Sequence, residues 1–111
     1  MKEQALEIKD MTLEKKIKLD YTVLKRAVLT LRAVNHPLRK EMMQLIQEKG
    51  KVTVTELYIK LRIEQSVASQ HLAILRKADV LTTERDGKFI YYSVNTKRVE
   101  EIAGIIEHLA Q

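Results

Sequence analysis

Glycine and proline, the residues that break helices and shape turns, occur four times in 111 residues: three glycines and one proline. In a chain so sparing of them each one marks something, and Pro37, Gly50, Gly87 and Gly104 divide the sequence into readable pieces. Gly87 constrains the fold most. With Asp86 it forms a two-residue turn signal between two β-type runs, Val80–Arg85 and Lys88–Val94, a favoured sequence for a tight hairpin. Two short helical patterns lie directly upstream of that hairpin.

The rest of the chain falls into place around this unit. Ile17, Tyr21, Leu24, Val28 and Leu31 recur at four- and three-residue steps and predict a helix over residues 13–34 with one apolar stripe. Asp20 is able to cap a fresh start inside that stretch, so one long helix and two pieces both fit. Residues 1–12 are expected to be frayed. Asn35 is read as the cap of the next helix, with Pro37 in its first turn, where the missing N–H does no harm. That helix runs to about Lys49, buries Met42, Leu45 and Ile46, and ends at Gly50. Lys51-Val52 is a short extended piece. Thr53 followed by Glu56 is a capping-box pattern opening a short helix that turns Leu57 and Leu61 inward. After Arg62-Ile63 a further helix spans about Gln65 to Ala78. The last helix, Thr96 to Ala110, aligns Val99, Ile102, Ala103, Ile106 and Leu109 on one face.

The fold class is therefore mainly α with a small β-hairpin: a helix-turn-helix followed by a wing. Its second helix has two distinct sides. Val67, Ala68, His71, Leu72, Ile74, Leu75 and Ala78 are assigned to the inward side; Ser66, Ser69, Gln70 and Ala73 recur at helical spacing on the outward side. Small residues there let the backbone enter a major groove about 12 Å wide. Gln70 suits bidentate pairing with adenine, Ser66 and Ser69 suit base edges or phosphates, and Gln65 sits in the first turn, where free N–H groups favour phosphate. Arg85 and Lys88 flank the hairpin tip, placing cations beside neighbouring phosphates. On an isolated helix, Ser and Gln would be read as mere solvation. The helix-turn before them and the basic hairpin after them favour double-stranded DNA.

The stretch Asn35–Val94 resembles the ArsR/SmtB family of bacterial winged-helix repressors. The matching runs are AVNHPLRKEMMQLI, VTVTELYIKL, QSVASQHLAILRKADVL and, in the wing, RDGKFIYYSV. The likeness extends over all but about the first dozen residues. It implies a homodimer formed through the first and last helices (residues 13–34 and 96–110), a palindromic operator and release by an inducer. On this chain it implies DNA contacts at Gln65, Ser66, Ser69, Gln70 and His71. The corresponding dimer residues are Ile17, Tyr21, Leu24, Val28 and Leu31 with Val99, Ile102, Ile106 and Leu109. Glu64 departs from the family, which usually places Ser or Thr there; a carboxylate suits a helix N-terminus but disfavours a close phosphate.

Many members of that family sense metals, at two places. The thiolate positions on the first helix of the helix-turn-helix hold Tyr58 and Lys60 here, neither a soft ligand. The starting ligands of the second site, on the last helix, correspond to Thr96 and Arg98. Of the three histidines, His71 has apolar helical neighbours, His36 lies close to Arg39 and Lys40, and His108 lacks a facing ligand on its own helix. No metal site and no cofactor follow from these residues, and the inducer stays unidentified. An organic ligand, a partner protein and no inducer at all are equally compatible.

Composition narrows the remaining classes. With 45% hydrophobic and 32% charged residues the chain is expected to be globular, and its +5 charge suits an anionic partner without naming one. There is no cysteine, hence no disulfide framework or thiol switch. Apolar runs are too short to span a bilayer, and residues 1–20 carry charges throughout, unlike a signal peptide. A cytoplasmic address is expected. No phosphate loop or nucleophile elbow points to an enzyme. The competing reading is a winged helix used only for protein contact, which would call for an apolar or acidic outer face on Gln65–Ala78.

Overall fold

The computed structural model describes the backbone of residues 21–110 and the side chains through His108. Helix α1 occupies residues 21–34 of the described chain. It is followed by α2 (Pro37–Lys49), β1 (Val52–Thr53), α3 (Val54–Leu61), α4 (Gln65–Lys77), β2 (Leu81–Asp86), β3 (Phe89–Val94) and α5 (Thr96–Ala110). The mostly helical order with its strand pair matches the sequence expectation, and a third strand joins it. Val52 pairs with Tyr92 and Thr53 with Tyr91, so the sheet runs β1-β3-β2 and is antiparallel throughout.

Local chemistry explains most of the boundaries. Pro37 is the first residue of α2, so the capping position belongs to His36 and not, as expected, to Asn35. The His36 Nδ1 accepts the Leu38 N–H at 3.2 Å. Asn35 instead closes α1, its N–H donating to the Leu31 carbonyl at 2.7 Å. Gly50 ends α2 at φ 84°, a conformation that needs a residue without Cβ strain. The Thr53 hydroxyl accepts the Glu56 N–H at 3.2 Å, which is the expected cap of α3. Arg62 then turns the chain in the left-handed region, φ 57°, and Ile63 N–H bonds back to the Tyr58 carbonyl at 3.1 Å. That compact turn sets α4 across α3.

The hairpin differs from expectation by one residue. Asp86 pairs with Phe89, so Gly87 and Lys88 form the turn and Asp86-Gly87 does not. Gly87 has φ 63° and Lys88 does not share a positive φ. Glycine at the first central position is what a type II′ turn requires. Sliding the turn by one residue moves β2 past β3 by two, which leaves every side chain on its original face. Leu81, Thr83, Tyr92 and Val94 still share the inner face.

The core lies where α2, α3, α4 and this inner face meet. Met42, Ile46, Val52, Leu57, Leu72 and Leu75 are all fully buried, and Val80 and Leu81 nearly so. Ile74, assigned to the inward side of α4 from sequence, is 41% exposed and faces α1 across an open cleft. The start of α5 is pinned by Asn95. Its N–H donates to the Val80 carbonyl at 2.8 Å, its side-chain amide to the Asp79 carbonyl at 2.9 Å, and its Oδ1 accepts the Arg98 N–H at 3.3 Å.

Candidate nucleic-acid interface

Helix α4 buries Ala68, Leu72 and Leu75 on one side. This fixes the opposite side outward: Gln65, Ser66, Ser69, Gln70 and Ala73 are all exposed. At ~100° per residue these five span an arc of about 140°, wide enough to present side chains to both walls of a groove. No large apolar or acidic side chain interrupts the arc. At its N-terminal edge Glu64 occupies the capping position but makes no side-chain cap hydrogen bond. The first-turn N–H groups of α4 are therefore not occupied by that carboxylate.

His71, grouped with the DNA contacts by resemblance, does not lie with them. It is half-buried against α2, where Arg39 Nη1 lies 3.1 Å from its Nδ1 and the His36 ring lies 4.8 Å away, tilted. Burial first, then the neighbouring His36 and Arg39 charges, hold the His71 imidazole below its ordinary pKa. Arg39 itself is anchored by its Nε to the Ala33 carbonyl. The result is a bracket from the end of α1 through α2 to the middle of α4. Sequence gave no signal for it, because Arg39 and His71 are far apart along the chain.

In the wing, Arg85 and Lys88 are both exposed, as expected, but they act differently. Arg85 Nε donates to the Gly87 carbonyl at 3.2 Å and so steadies the tip. Lys88 sits in the turn itself, its ammonium 5.5 Å from the Phe89 ring centre. On the same outer sheet face, Lys51 lies 4.8 Å over the Tyr91 ring, and the Phe89 and Tyr91 rings stand 6.5 Å apart. Lys51 is not among the residues the sequence singled out for this surface, because its place beside Tyr91 depends on β1 pairing with β3.

The residues compared above with the family's metal positions lie on α3 and at the start of α5. Tyr58 and Lys60 lie on α3, and Arg98 donates to Glu101 at 3.3 Å and to the Thr30 hydroxyl at 3.4 Å.

An exposed small polar helix face beside a hairpin that carries Arg85 and Lys88 near its tip is the geometry of a winged helix-turn-helix. Residues 36–83 match the profile of bacterial regulatory proteins of the arsR family. The transcriptional repressor PagR of Bacillus anthracis is 33% identical over 89 residues, which cover 80% of this chain and 89% of PagR. Its crystal structure superposes with a TM-score of 0.67 over 80% of this chain and 98% of that one, at 35% identity. The chain belongs to the ArsR family. The transcriptional repressor SdpR of Bacillus subtilis is also 33% identical, over 70 residues covering 63% of this chain and 77% of SdpR. HlyU of Vibrio cholerae, named a transcriptional activator, is 26% identical over 84 residues, 76% of this chain and 77% of HlyU. Its structure gives a TM-score of 0.64 over 77% of this chain and 91% of that one, at 26% identity. This ArsR-family member is thus a DNA-binding transcriptional regulator of winged helix-turn-helix architecture, and its relatives are regulators, not enzymes.

Of the residues expected to form a dimer, Tyr21, Leu24, Val28, Leu31, Val99 and Ile106 are exposed on the single chain, from 38% for Leu24, Val28 and Val99 to 68% for Tyr21. Ile102 does not belong with them: it is already 6% exposed within one chain and so has little area left to bury. Ile17 and the Leu109 side chain lie outside the described residues. Among the described residues no helix is long and apolar enough to cross a membrane.

Proposed function

We propose that the protein works as a cytoplasmic homodimeric repressor that binds a palindromic operator and carries no catalytic activity of its own. The observation that carries this reading is the uninterrupted exposed arc of Gln65, Ser66, Ser69, Gln70 and Ala73 on a helix whose opposite side is locked into the core. In this reading Gln70 reads a base edge, favouring adenine, and Ser66 and Ser69 reach base edges or phosphates. Gln65 meets the phosphate backbone at the helix start, with Arg85 and Lys88 on the flanking strand. The repressor sign follows PagR and SdpR, the two relatives at 33% identity.

The dimer follows from unpartnered apolar area. Tyr21, Leu24, Val28 and Leu31 share one side of α1, and Val99 and Ile106 one side of α5, and a second copy offers the same surfaces by two-fold symmetry. Two reading helices would then meet half-sites about one DNA turn, roughly 34 Å, apart.

The test is a salt series with duplex DNA. If a dimer neutralises about eight phosphates, log affinity falls against log salt with a slope near −7. Lys88→Ala makes the slope shallower and weakens binding on every sequence. A flat response across the series would exclude the DNA-reading interface and leave the protein-contact module.

A further inference from the structure

A cleft of about 690 Å³ opens between α1, the last turn of α4 and the start of α5. That volume is in the range of small-molecule sites, roughly 300–1,000 Å³. Its apolar walls are Leu29 and Ala33 from α1, Ile74 from α4 and Ala78 at the C-cap of α4. Leu29 is 55% and Ile74 41% exposed, the latter on a helix that fully buries Leu72 and Leu75. At one end stands the buried Thr30 hydroxyl, which donates to the Arg26 carbonyl at 2.9 Å and accepts from Arg98.

The charges around the cleft do not balance. Arg26, Lys77 and Arg98 face Asp79 and Glu101, three cations against two carboxylates. Both carboxylates have partners. Glu101 pairs with Arg98 at 3.3 Å, and the Asp79 carboxylate accepts from the Asn95 amide at 3.4 Å. Arg26 and Lys77 have no carboxylate partner among the described residues. With Glu101 paired to Arg98, the cleft keeps Arg26 and Lys77 against the single Asp79 carboxylate, whose Asn95 partner is a neutral amide, so one positive charge stands in excess beside the apolar wall.

A second subunit is not the natural occupant. On α1 the cleft residues Arg26, Leu29, Thr30 and Ala33 are centred roughly 170° around the helix from Tyr21, Leu24, Val28 and Leu31, at ~100° per residue. A partner seated on the second set would leave the first open.

We infer that this cleft binds a small amphipathic monoanion, its hydrocarbon body against Leu29, Ala33 and Ile74 and its acid group between Arg26 and Lys77. The walls join the end of the reading helix to both helices assigned to the dimer, so an occupant would set the angle between them. That regulatory consequence rests on the DNA-binding reading; the binding site itself does not.

The experiment is a titration of the full chain with 8-anilinonaphthalene-1-sulfonate, followed by its fluorescence and requiring no DNA, so that this inference and the DNA reading fail separately. Saturation at one site per chain is expected, with displacement by octanoate and not by octylammonium. The double variant Arg26→Glu/Lys77→Glu should weaken binding about tenfold, equivalent to ~1.4 kcal/mol. Ala33→Phe, which fills the cleft without changing charge, should weaken it comparably, while Lys97→Glu, a charge reversal outside the cleft, should leave it unchanged. Urea melts of each variant establish that the fold persists. Absence of saturable binding, as when a segment of the chain or a second copy fills the cleft, would overturn the inference. So would equal displacement by octylammonium, or wild-type affinity in both folded cleft variants.

Discussion

The two halves of this molecule treat their apolar residues in opposite ways. In the block formed by α2, α3, α4 and the sheet, Met42, Ile46, Leu57, Leu72 and Leu75 are completely buried by neighbours from the same chain. In the terminal helices α1 and α5, Tyr21, Leu24, Val28, Leu29, Leu31, Val99 and Ile106 stay exposed, and Ala27, Thr30 and Ile102 are among the few that are covered. The reading head is closed by one chain; the helices at the chain ends are not. If a second copy covers those helices, as proposed, folding of the head and assembly of the dimer rest on different side chains.

Breaking the closed half should have the largest effect. Leu72→Ala removes a fully buried side chain at the junction of α4 with the core, and such truncations cost about 2–5 kcal/mol. Urea denaturation should show an unfolding free energy lower by that amount, and a loss under about 1 kcal/mol would mean the core is less closed than its burial implies.

The open half should respond in assembly and not in folding. Val28→Asp places a carboxylate in the apolar side of α1, which is 38% exposed at that residue on one chain. Sedimentation should show the dimer dissociation constant raised at least about tenfold, while the chain still unfolds cooperatively. An unchanged sedimentation profile would assign that side of α1 to solvent.

Gln70→Ala separates reading from folding within the closed half itself. It should cost about 1–3 kcal/mol on the cognate duplex, with little change on random DNA and in thermal stability. Equal losses on both duplexes would remove Gln70 from the base-reading set.

The smallest effect concerns pH. His71 in the folded chain is held below the ordinary imidazole value of 6.5, so just below that pH the unfolded chain binds more protons than the native one. The stability due to neutral His71 is present above about pH 6.5 and is lost as pH falls through its lower folded value. Thermal melts between pH 7.5 and 5 should therefore show a decline that is shallower in His71→Gln. Identical pH slopes in the two proteins would mean that the bracket with His36 and Arg39 does not discriminate against the imidazolium.

Much of this is legible in the order of amino acids. Caps such as Thr53 with Glu56, the glycine end of α2, and the polar arc from Gln65 to Ala73 are set by residues within one or two turns of each other, where spacing alone fixes geometry. The hairpin was legible in its faces but not in its register. A two-residue loop moved by one position preserves the alternation, and only the pairing of Asp86 with Phe89 distinguishes the two. His36 displaced Asn35 as a cap because Pro37 fixed where α2 begins.

Local periodicity and side-chain polarity were enough to order the elements, to name most of the core of the reading head and to give the chemistry of its outer face. Only the tertiary structure decided that His71 turns to Arg39, that Ile74 and Leu29 face each other across an open cleft, and that Ile102 is spent within its own chain. These outcomes depend on how helices cross after residues far apart in the chain have packed, and helical spacing states which side a residue occupies without stating what will stand opposite it.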